Sequence, residues 1–433
     1  MTIAGLVLAA NWLILDFDWL LFDDDINILT NPNLGRGAMS SLAWAFQDFD
    51  YIRRYLPLGW VGFYALLGID GYNATAFHTA SWLLMGLNAV LAFFVFERLV
   101  RAPNDSTAGG STGSSIRAVV AASLAALAWS LHPLRAENAA WISGLLYLGS
   151  ATFALFAVLL HLQAVESEIH SRRLRVGGAV CYLASLLVYP VFLALPAVLL
   201  WRALCVAPPR LRAFREEFAR LAGWWIATAF AFGLNVFARI NAPETFAAPN
   251  EFAPGSLFTR GLVAIRATLH YASRTIWPGE VAPFYGLTDQ LLKPNEQRIA
   301  LCALGVGAIV LLARKTTHLR VLAWSAAGIM TLLPFLGQLG HDFHANDRYA
   351  ILWLAVWATA VATWLAQPGA KPWRLAVAGA GLALLARDYG RALPHWKDTG
   401  TLQAKIDAVT AAKPHPKMSF SRRALVLWWL GET

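Results

Sequence analysis

The sequence predicts an all-α, polytopic integral membrane protein, and three observations carry that prediction. The first is composition. The 433 residues are 58% hydrophobic and only 14% charged, where an ordinary soluble domain carries about 25% charged residues. So little polar material does not cover a water-facing surface. The second is a series of apolar runs that approach the roughly 17–25 residues of a spanning helix. The third is the gathering of basic residues in a few loops, as on the cytoplasmic side of membrane proteins. The formal charge of +9 is then loop and headgroup charge, and nothing in it tracks a nucleic-acid groove.

The first run, Ile3 to Leu15, is short. It has neither a basic region nor a small-residue cleavage site, so it reads as an uncleaved helix. A long, Asp-rich aqueous loop is expected over residues 16–75. Spans follow at Ala76–Phe96, Val119–Leu131, Ala139–Val165, Leu221–Ile240, Ile299–Ala313, Val321–Leu339 and Ala350–Leu365. Val176–Val188 and Val191–Leu204 meet at Tyr189-Pro190. Proline removes a backbone donor and disfavours helix in the residue before it, so the two halves form a tight hairpin or a broken re-entrant pair. Leu375–Ala386 is the last, short run. The expectation is about 10 to 12 transmembrane helices in all.

The basic segments FERLVRAP, ESEIHSRRLR, PPRLRAFREEFAR and RKTTHLR mark the cytoplasmic loops. Residues 102–115, rich in Gly and Ser, form a flexible cytoplasmic linker. Residues 256–278 are helix-length, but parity leaves both ends outside. Arg266, His270 and Arg274 fall within an arc of about 80°, so this helix is expected to lie at the outer interface. Residues 1–387 make the membrane domain, and 388–433 a short soluble tail, external by parity. The cysteines Cys181, Cys205 and Cys302 lack metal-type spacing. They read as packed thiols, and no metal or cofactor is expected.

Four polar clusters share the external side: Asp23-Asp24-Asp25, then His132, Arg135 and Glu137 in HPLRAEN, then the basic stripe, then GHDFHANDRY with Arg348. Ionisable residues at membrane depth are expensive and mark pathways or sites. Each cluster also has a plain structural reading. Three acids can be a solvated helix boundary, His132 before Pro133 a helix-end packing residue, and Arg348 the partner of a protein carboxylate. Adjacent carboxylates repel, however, which sets a base beside a proton reservoir. The co-location of all four clusters favours a site.

The stretches LLFDDDINILTNPNL, YLPLGWVGFYALLGIDGYNATAFHTASWLLMGLNAVLAFFVF, AALAWSLHPLRAENAAWISG and ANDRYAILWLAVW, in this order, resemble the membrane half of the TPR-linked O-mannosyltransferases and their bacterial relatives, within the GT-C glycosyltransferase superfamily. The resemblance runs from about Leu15 to Asp407. It implies a GT-C-like fold, a polyprenyl-phosphate sugar as donor, an inverting transfer and catalysis on the extracytoplasmic face. In a bacterium that is the periplasmic side of the cytoplasmic membrane. Asp23, Asp24 and Asp25 supply the candidate general base on an acceptor hydroxyl. Arg348, Arg266, Arg274, His270, His132, Glu137 and His78 are the candidates for binding the donor phosphate. Tyr189 stands where a lysine is expected, and the TPR array is absent, which leaves the acceptor open between protein, glycan and lipid. Two other readings stay open: a transporter or flippase for a lipid-linked or anionic solute, and a non-catalytic membrane scaffold.

Overall fold

A computed structural model of the protein describes residues 2–101 apart from 50, 112–241 apart from 168 and 207–209, 343–411 apart from 368, and short pieces between 267 and 331. It is helical, except for a two-stranded antiparallel pairing of Tyr285–Gly286 with Phe343–Ala345 that the all-α expectation lacked. The helices are α1 (Ile3–Asn11), α2 (Ala38–Gln47), α3 (Pro57–Asp70), α4 (Ala74–Val100), α5 (Thr112–Ser130), α6 (Ala136–Ala140), α7 (Leu145–Glu166) and α8 (Ser171–Val188). After the break come α9 (Leu195–Val206), α10 (Arg210–Arg220), α11 (Ala222–Asn241), α12 (Ala350–Leu365), α13 (Trp373–Ala392) and α14 (Thr399–Ala411).

Small residues let the central helices approach. Ala89 and Ala92 of α4, Ala121, Ala122, Ala125 and Ala126 of α5, Ala151 and Ala157 of α7, and Ala362 of α12 are all fully buried. Close backbone packing and buried hydrogen bonds join these helices, the means by which apolar helices associate in lipid. Asn88 Nδ2 accordingly donates to the Leu148 carbonyl at 3.0 Å, and Thr152 Oγ1 donates to Asn88 Oδ1 at 2.8 Å. Ser150 and Ser185 tie α7 to α8, with Ser185 Oγ donating to the Ser150 carbonyl at 2.8 Å. Gly59 allows α3 to press on this pair, since a Cβ there would lie 2.6 Å from Leu146 and 2.9 Å from the Val188 carbonyl.

Among the described residues, three helical segments are long and apolar enough to cross a membrane: Ala74–Val100, Ile142–Glu166 and Asp347–Leu365. The number rises to six if each of three bent pairs is one span. The expected break at Tyr189-Pro190 is there, with α8 and the following segment meeting at 117°. The expected spans at 299–313 and 321–339 lie almost wholly outside the described residues, as do the linker 102–115 in large part and the first half of the interfacial segment 256–278.

Two expectations need correction. Residues 16–75 are not a featureless aqueous loop: they hold α2 and α3, which bury Ala45, Trp60 and Phe63. The boundary at 387 is also not a domain edge. Helix α13 runs through it to Ala392, and Leu393, Trp396 and Leu402 are buried in the same core. The Asp18 amide donates to the Lys397 carbonyl at 2.9 Å, and the Leu21 amide to Thr399 Oγ1 at 3.0 Å. The segment after α13 therefore packs at the same end of the bundle as the acidic triplet.

Candidate functional site

The three aspartates do three different things. Asp24 is fully buried: its Oδ1 accepts from the Ser143 amide (2.8 Å) and Ser143 Oγ (2.6 Å), and its Oδ2 from the Leu20 amide (3.1 Å). It fastens the acidic segment to the turn before α7. That turn depends on Gly144, where a Cβ would fall 2.7 Å from the Asn138 carbonyl. Asp25 is buried and opens a π-helical turn, Asp25–Leu29. Asp23 is exposed and adopts a left-handed backbone, φ 68°. Asp and Asn enter that region more readily than other side chains, yet it remains strained, and strain of this kind gathers at functional sites.

Burial raises the Asp24 carboxyl to about 7, against the hydrogen bonds from Ser143 and Leu20 that lower it; burial also raises Asp25. Because the folded value of Asp24 exceeds its ordinary 3.8, the folded protein holds the extra proton between the two. The stabilisation tied to that proton is complete below the unfolded value and is lost as pH rises through the folded one. Asp24→Asn removes this dependence and turns an amide nitrogen toward the Leu20 N–H. The expected result is a loss of about 1–3 kcal/mol, with a melting temperature that no longer falls between about pH 4 and 7 as the wild type's does.

Two arginines lie within electrostatic reach of Asp23. Arg348 begins the segment leading into α12, where its Nη1 donates to Glu137 Oε1 at 2.7 Å and its backbone amide to Glu137 Oε2 at 2.9 Å. Its guanidinium lies 5.3 Å from the Trp141 ring and 5.4 Å from the Tyr349 ring. Glu137 is fully buried, so the plain reading of Arg348 as a carboxylate's partner holds in the free protein. The second arginine, Arg54, was not among the expected residues. Its Nη1 donates to the Tyr189 hydroxyl at 2.7 Å, and Tyr189 packs on Tyr147 at 4.4 Å between ring centres. Asp23 lies within electrostatic reach of Arg54, Glu137 and Arg348 alike.

Arg54 is presented by an unusual turn. Ile52 (φ 50°) and Arg53 (φ 60°) are both left-handed, which for a β-branched isoleucine is a true outlier. The turn is pinned on both sides. Tyr51 hydroxyl donates to the Ile26 carbonyl at 2.6 Å, and Tyr55 hydroxyl to the Phe46 carbonyl at 3.1 Å. The position expected to hold a lysine thus holds Tyr189, and a cation reaches it from another element.

Other expected residues are placed elsewhere. His132 caps the turn Pro133–Arg135: its Nδ1 accepts from the Leu134 amide at 3.2 Å, and its Nε2 faces the Thr275 carbonyl at 3.2 Å. Both nitrogens are engaged, so His132 holds a helix end instead of a phosphate. Arg274 donates to the Pro278 carbonyl of its own segment. His270 is part-buried beside Tyr271, and Arg266 lies outside the described residues. His78 is buried on α4, edge-on to Phe17 at 6.1 Å.

An apolar pocket, open on one side, is lined by residues that include Phe96, Trp129, Leu155, Phe192, Leu199 and Leu352. Leu352 is one helical turn beyond Arg348, and Phe192 is in the turn that follows Tyr189. The charged residues do not line the pocket themselves, but Arg348 and Tyr189, the partner of Arg54, sit within a turn of residues that do. No family model, curated protein or solved structure matches the chain.

Proposed function

We propose that the chain is a membrane-embedded glycosyltransferase that moves a sugar from a polyprenyl-phosphate donor to an acceptor hydroxyl. Asp23 is the general base, and Arg54 and Arg348 are the phosphate contacts. The observation that carries this reading is one exposed carboxylate, held in a left-handed turn within electrostatic reach of two positioned arginines, with Arg348 and the tyrosine partner of Arg54 each within a turn of an apolar pocket's lining. An anionic headgroup with a hydrocarbon tail has that shape and polarity.

The chemistry follows from the parts. The acceptor oxygen bonds to the anomeric carbon as the bond from that carbon to the phosphate oxygen breaks, with inversion. The acceptor proton passes to Asp23, a step that contributes typically 10²–10⁴-fold. The electron pair departs with the lipid phosphate, and the added negative charge falls to the guanidinium groups, whose planar forks match phosphate oxygens. Glu137 fixes Arg348, and Tyr189 fixes Arg54, so neither cation reorganises as charge develops. Tyr189 in place of lysine is therefore compatible with an active enzyme. The reading sets the reaction on the extracytoplasmic face, because the acidic segment, HPLRAEN and DRY all lie on the side opposite the basic loops.

The cavity supplies the test. In lipid nanodiscs, a polyprenyl-phosphate sugar should bind more tightly with each isoprene unit that the cavity accepts. A donor cut to one isoprene should bind at least about tenfold more weakly. Affinity independent of tail length, or no binding of any lipid-linked sugar, would contradict the proposal.

A further inference from the structure

We infer that Arg135 marks an internal binding site for a small monovalent inorganic anion, chloride in kind, in the core between α4, α5 and α13. Arg135 is fully buried, and its guanidinium stacks 4.0 Å from the Trp129 ring. Among the described residues its Nη2 finds only the Met85 sulfur, at 3.7 Å, while Nε and Nη1 have no hydrogen-bond partner. A guanidinium does not lose its proton in a protein, and an unpaired buried charge is among the costliest things a fold can hold.

The nearby carboxylate does not help. Glu137, two residues on, is taken up by Arg348 on both oxygens. Tyr389, the group of α13 within electrostatic reach, donates its hydroxyl to Asn11. The carbonyl end of α5 contributes partial negative charge, but no carbonyl accepts from Nε or Nη1. Two hydroxyls on the elements that touch the guanidinium are also buried without partners. They are Ser81 Oγ, one turn before Met85 on α4, and Ser130 Oγ, beside Trp129. Unused N–H donors on a buried cation, with no free carboxylate beside it among the described residues, describe an anion site, and the two unused hydroxyls lie on the helices that touch it. The polar groups are few and the walls apolar, which suits a halide better than a phosphate.

The test uses the full chain in nanodiscs, with chloride replaced by gluconate at constant ionic strength. The wild type should melt several degrees higher in chloride, with a saturable dose response, as expected of a ligand that binds only the folded state. Arg135→Met, which fills the space beside Met85 without a charge, should lose the chloride dependence. Equal melting of the wild type in both salts, or a chloride response that survives in Arg135→Met, would overturn the inference and leave internal water as the partner of Arg135. Should the variant not fold, bromide diffused into crystals of the wild type decides. An anomalous peak against the guanidinium supports the site, and none at saturating bromide rejects it.

Discussion

Asp23→Asn is expected to lower the turnover number by about 10²–10⁴-fold, the usual worth of a positioned general base, while donor affinity stays within a few-fold of wild type. The carboxylate is exposed, and its left-handed backbone is one that asparagine adopts as readily, so the fold has no reason to change. The contrast with Asp24→Asn is the useful part. Asp24 accepts three hydrogen bonds inside the protein, and its loss should register first in stability. Single-turnover assays beside thermal melts separate the two neighbours: a variant that melts normally and does not turn over identifies the base. If Asp23→Asn turns over at the wild-type rate, Asp23 is not that base.

Glu137→Ala is expected to have the largest effect on folding. Arg348 is about one-tenth exposed, Glu137 not at all, and the pair is joined through both the guanidinium and the backbone amide. Removing one partner of a buried pair leaves an uncompensated charge and costs about 3–5 kcal/mol. That is a large fraction of the stability of most proteins. Glu137→Gln keeps the shape and one acceptor and should lose distinctly less. Expression yield and melting temperature of the two variants in the same membrane mimetic check this, and equal behaviour of wild type and Glu137→Ala would show that the pair carries little.

Much of the helical frame was legible because it rests on local chemistry. Proline without an N–H breaks the chain at Tyr189-Pro190, and long apolar runs become α4, α7 and α12. Helix α3 does not stand out in the sequence, because PLGWVGFYALLGID is too short for a span and carries Gly at three positions. Its stability comes from packing on α7 and α8, which the pattern does not encode. Of the expected site residues, Glu137 and Arg348 are joined, and Asp23 is within electrostatic reach of both.

The division of labour among the aspartates was not legible. It depends on Ser143, which lies 119 residues from Asp24 in sequence. Arg54 was hidden for the same reason: its partner Tyr189 is 135 residues away, and the turn that presents it uses an isoleucine in a conformation no sequence rule assigns to isoleucine. One signal was available. Arg53 and Arg54 form a basic pair in a loop assigned to the non-cytoplasmic face, against the usual bias, and such a pair calls for an anion.

The central claim is that Asp23 and the two arginines divide catalysis from donor binding at one site. The measurement that tests it most directly is donor binding and turnover, side by side, for wild type, Asp23→Asn and Arg54→Ala in nanodiscs. The account predicts that Asp23→Asn binds the polyprenyl-phosphate sugar and does not transfer it, while Arg54→Ala binds it at least about tenfold more weakly, as expected when one charge-assisted contact is lost. If both variants bind and react as the wild type does, the acidic segment is a helix boundary and the arginines are structural, and the glycosyltransferase reading falls.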